Sequence, residues 1–141
     1  MTASSDALQL GDAARADLAD AASYLFYDDA GQVLAASFKV EPSELKALAR
    51  VLGDRTGAIS SGMMVGGQRY EVHRHHPPLV YGRSMGHADP EDSVGAALCM
   101  VAERTVTGRP CYGFITYRMP NLSARMVPLL EAFCERHLHA K

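Results

Sequence analysis

Gly66 and Gly67 stand side by side between an apolar run, Met63-Met64-Val65, and a polar/apolar alternation, Gln68-Arg69-Tyr70-Glu71-Val72. Adjacent glycines accept positive φ without steric cost, as a two-residue turn between antiparallel strands demands. The pattern predicts a β-hairpin near the middle of the chain. A helix is predicted before it, further strands after it, and an amphipathic helix at the end. No catalytic signature interrupts that order. Function must therefore be read from shape, charge and resemblance.

The first helix is predicted over Leu8 to about Ala22, from Leu10, Ala14, Leu18 and Ala21 at helical spacing. Gly11 weakens its first turn, so Asp12 is expected to cap it, and residues 1–7 are expected to fray. Tyr24-Leu25-Phe26-Tyr27 reads as a strand, Asp28 to Gly31 as a turn, and Gln32 to Ser37 as the returning strand. Pro42 opens a second helix, with Leu45, Leu48, Ala49 and Leu52 as its buried stripe and Gly53 as its end. Strands follow at Met63–Val65, Gln68–Arg74, Leu79–Arg83, Val94–Thr105 and Cys111–Arg118, with Ser84 to Ser93 as an exposed loop. Pro120 with Asn121 or Ser123 starts the last helix, striped by Leu122, Met126, Leu129, Leu130 and Phe133. Pro128 is expected to kink that helix or delay its regular part. Consecutive strands on short connections favour an antiparallel sheet, and the helices can cover its two faces.

A chain of 141 residues with 48% apolar content suits one domain with a real core. A net charge of −2 argues against general nucleic-acid binding. Residues 1–54 hold four Lys/Arg against nine Asp/Glu, and residues 55–141 hold ten against seven, nearly all of the bases being arginine. Arginine favours bidentate contact with carboxylate or phosphate, although a mixed solvated surface would look the same. Cys99, Cys111 and Cys134 form no CxxC pair and read as buried, reduced residues of a cytoplasmic protein. No apolar run is long enough to span a bilayer.

His73-Arg74-His75-His76 is the densest polar cluster. On a regular strand His73 and His75 would share a face, but only His87 offers a third ligand, so no metal is assigned. Ser60-Ser61-Gly62 lacks a nucleophile elbow. The stretch from Gly62 to Gly67 lacks the Lys-Ser/Thr of a phosphate loop. Asp89-Pro90-Glu91-Asp92 is too short for a calcium loop. No enzyme activity and no cofactor are implied.

Four ordered blocks carry a resemblance to the profilin family. Gly31-Gln32-Val33-Leu34-Ala35 stands where profilins have Gly-x-Val-Trp-Ala. Phe38 to Leu48 is similar to their proline-initiated helix. Gly62 to Val72 resembles their Gly-Gly hairpin, and Pro120 to His137 their terminal helix. The resemblance implies an α+β fold: a central antiparallel sheet of six to seven strands, terminal helices on one face and a shorter helix on the other. It also implies a monomeric-actin partner, with Arg69, His73, Arg74, Arg118 and Arg125 as the positions that match, and anionic phosphoinositides as a further partner of the same arginines. Actin is acidic, so an arginine face would aid steering and register.

Profilins also bind proline-rich peptides between the terminal helices, on tryptophan and tyrosine. The matching positions here are Leu8, Leu34, Phe133, Arg136 and His137, and the chain contains no tryptophan. Without flat π faces and an N–H donor, that groove is expected to be weakened or lost. A non-catalytic scaffold of the roadblock or longin kind, dimerising to dock GTPases or motor subunits, is the alternative.

Overall fold

The computed structural model describes residues 3–140. Its centre is a seven-stranded sheet in the order β2-β1-β7-β6-β5-β4-β3. The strands are β1 (Ser23–Asp28), β2 (Val33–Ala36), β3 (Met63–Val65), β4 (Gln68–His76), β5 (Leu79–Arg83), β6 (Val94–Val101) and β7 (Cys111–Arg118). Every neighbouring pair is antiparallel. The helices are α1 (Ala3–Asp17), α2 (Pro42–Val51), α3 (Arg55–Ser61) and α4 (Ser123–His137).

Strand alternation divides the apolar side chains between two cores. Phe26, Ile115 and Tyr117 meet Leu18 of the α1–β1 turn and Met126, Leu130 and Phe133 of α4 on one face. Leu25, Tyr27, Val72, Leu98 and Phe114 meet Leu45 and Leu48 of α2 and Ala58 of α3 on the other. This is the expected α+β arrangement, with terminal helices on one side. The other side carries two short helices rather than one. The unexpected α3 is held at its start by Asp54, whose side chain accepts from Gly57 N at 2.9 Å.

The glycine doublet turns as expected. Val65 pairs with Gln68, and Gly66 and Gly67 have φ of 59° and 78°, the two-residue hairpin that matches strand twist. Its tip is tied to α2. Glu44 accepts from its own helix start, Glu41 N, at 3.3 Å and from Gly67 N at 3.3 Å. Glu44→Ala is expected to lower stability by about 1 kcal/mol through loss of the cap and the tether. Chemical denaturation would read this, and exchange of the Gly67 amide should rise.

Several boundaries differ from expectation. α1 begins at Ala3 and ends at Asp17, and it runs through Gly11 instead of being capped by Asp12, which pairs with Arg15 within the helix. β6 ends at Val101, short of Thr105, because Arg104 adopts φ 55° in the turn that follows. Thr105 instead bridges His139. α4 passes through Pro128 on its exposed side, where the missing N–H leaves an open carbonyl to water rather than to the core.

Candidate functional site

α4 lies over β6, β7 and the near edge of β5, and α1 lies over β2. On that side of the sheet the outer strands β3 and β4 are left uncovered. Cross-strand partners share a face, so the register reads out what is displayed there. Met64 stands beside Arg69, Glu71 beside Arg83, Arg74 beside Tyr81, and His76 beside Leu79. Met64 is 50% exposed and Leu79 and Tyr81 are half-buried, which leaves an apolar floor among charged groups.

These arginines are held differently. Arg69 pairs with Glu71 at 3.1 Å and donates to Ser60 O at 3.4 Å. Arg83 donates to Ser93 O at 3.1 Å and Ser93 Oγ at 3.0 Å, and its guanidinium lies 5.9 Å from the centre of the Tyr117 ring. Arg74 donates only to His73 O, at 3.2 Å, and no carboxylate pairs with it among the described residues. It is the cation on this face most available to an outside carboxylate.

The five residues matched to an actin surface do not form one patch. Arg69 and Arg74 share the open face. His73 occupies a bulge, where the register shifts between Val72 and Arg74. That shift corrects the expectation that His73 and His75 share a face: His73 is exposed, while His75 is buried and its Nε2 lies 2.6 Å from Val51 O. Arg118 pairs with Val94, whose side chain belongs to the α2–α3 side, so it faces the opposite way. There its charge partly offsets the burial that pushes the Tyr70 phenol up. Arg125 turns toward the α1–β1 connection, where it meets Asp20 at 2.6 Å and Asn121 Oδ1 at 2.7 Å.

The matched groove residues lie at the junction of α1, α4 and β2. The Leu8 side chain is outside the described residues. Leu34 is half-buried against the α1–α4 core. Arg136 and His137 approach Asp17 of α1 at 3.9 Å and 3.5 Å. Phe133 is buried, with ring centres 4.9 Å from Phe26 and 4.4 Å from His137. Tyr24 extends this row, 6.0 Å from Phe26. Residue matching missed Tyr24 and Phe26, although their alternation along β1 carried the signal. Phe26 is wholly buried, so the centre of the row is interior and only its ends, Tyr24 and His137, reach solvent.

An antiparallel sheet lies between two helix pairs, with one patch of sheet left bare beside the terminal helix. The sequence matches the Profilin family model over residues 13–103, and the chain belongs to the profilin family. Its fold is similar to Acanthamoeba castellanii profilin II at 19% identity and TM-score 0.69, over 90% of this chain and 92% of that one. Schizosaccharomyces pombe profilin is similar at 20% identity and TM-score 0.70, over 89% and 90%. LokiProfilin1, solved in complex with rabbit actin, is similar at 11% identity and TM-score 0.64, over 96% and 95%. No curated protein matches the sequence.

Proposed function

We propose that this protein is a cytoplasmic, non-enzymatic regulator of the cytoskeleton that binds monomeric actin through the bare face of β3–β5, with Arg69 and Arg74 as its charged contacts. The observation that carries the reading is Arg74. It is an exposed cation without a carboxylate partner among the described residues, on the uncovered sheet face of a profilin-family fold. Buried or fully paired arginines would offer nothing to an acidic partner, whereas an open one supplies both steering and register. A relative with this fold, LokiProfilin1, is bound to rabbit actin. The same arginines would meet anionic phosphoinositide headgroups, in competition with actin.

Proline-rich-peptide binding is weakened or lost in this reading. Leu34 offers no ring, and the Phe26 and Phe133 rings are spent on internal packing. The family assignment leaves the roadblock or longin alternative without an observation of its own. Actin assembly followed by pyrene fluorescence, with the protein at tens of micromolar, tests the proposal. Slower spontaneous assembly in proportion to added protein is expected. Unchanged kinetics would remove actin from the account. A proline-rich peptide titrated in parallel should leave the tyrosine fluorescence unaltered.

A further inference from the structure

Three thiols far apart in sequence, Cys99, Cys111 and Cys134, belong to one core between α4 and the sheet. The register fixes the first two. Cys99 pairs with Gly113 and Cys111 pairs with Val101, so Cys111 lies diagonal to Cys99 on the same face. Cys134 comes down from α4 onto Gly113, where an added Cβ would be 2.5 Å from its Sγ. The Cys134 sulfur therefore stands over the residue directly opposite Cys99. Its thiol is pushed well up by the Cys99 side chain and by burial, with Cys111 adding to the effect.

The three are not equivalent. Cys111 lies 3.4 Å from Arg109 O and 3.5 Å from Thr107 Oγ1, turned toward the β6–β7 connection. Cys134 is wholly buried. Cys99 is 3% exposed, and its cross-strand partner Leu79 is half-buried at the margin of the bare sheet face. A small oxidant entering from that face meets Cys99 first, with Cys134 behind it.

We propose that Cys99 and Cys134 form a hydroperoxide-driven intrachain disulfide that fastens α4 to β6. In the first step the Cys99 sulfur attacks the peroxide O–O bond. It gains a hydroxyl as sulfenic acid, and hydrogen peroxide leaves its other oxygen as water. In the second step the Cys134 sulfur attacks that sulfur. The S–S bond forms, the S–O bond breaks, and the hydroxyl departs as water with the Cys134 proton. The two thiols together lose two electrons and two protons, and one peroxide becomes two waters. Because the attacking group is a thiolate, the reaction is slow at neutral pH and accelerates as pH rises.

The test treats the folded, full-length protein with hydrogen peroxide, then unfolds it and alkylates the remaining thiols. Alkylatable cysteines are expected to fall from three to one. A peptide map should find Cys99 joined to Cys134 within one chain, with faster linkage at higher pH and a raised Tm. Cys134→Ala should abolish the link and leave a sulfenic acid at Cys99 that dimedone traps, while Cys111→Ala should keep the link. Should Cys134→Ala fail to fold, the peptide map of the unaltered protein decides alone. Three surviving thiols, a link through Cys111, or a link between chains would overturn the proposal.

Discussion

Gly82→Ala is expected to cost roughly 3 kcal/mol or more, or to prevent folding altogether. A Cβ at Gly82 would lie 1.6 Å from Glu71 O and 2.7 Å from Glu71 C, with His73 N at 3.1 Å. Those atoms are backbone and cannot swing aside. The bulge at His73 presses β4 onto β5 there, so the two features form one unit. Urea unfolding of the variant measures the effect. Gly53→Ala serves as the contrast: its Cβ would meet only Arg50 O, at 3.9 Å, and stability should change by about half a kcal/mol or less. If Gly82→Ala proves as stable as the parent, the bulge does not lie against β5 as described.

Reversing Arg69 and Arg74 together to glutamate is expected to weaken actin binding about tenfold to a hundredfold and to flatten its salt dependence. Both side chains are exposed, so the far-ultraviolet circular dichroism should match the parent. Arg118→Glu is the control, since the register turns that side chain to the α2–α3 side. Unaltered affinity of the double variant would move the contact elsewhere. A loss with Arg118→Glu alone would place it on the opposite face.

The contrast between these arginines marks where residue patterns stop being sufficient. The Gly66–Gly67 hairpin, the bounds of β5 and β7 and the first turn of α2 were all legible, because each rests on local chemistry: positive φ, strand alternation, or proline at a helix start. α3 was not legible. Its seven residues, Arg55 to Ser61, include a glycine, two serines and β-branched residues, and it is held by one cap and by packing on β4. The division of the arginines was illegible for a different reason. A single extra residue at His73 reverses the facing of everything after it on β4, and nothing in His73-Arg74-His75-His76 announces a bulge. The constraint comes from Gly82, on the neighbouring strand. Arg125 likewise depends on Asp20, over a hundred positions earlier in the chain. Side-chain orientation at the site was thus set by partners distant in sequence, whereas element type was set by neighbours.

The two margins of the sheet carry a further consequence. β2 and β3 are its outermost strands, only four and three residues long. Ribbons so brief expose too few free amides and carbonyls to template a second molecule, so stacking edge to edge into fibrils has almost no foothold.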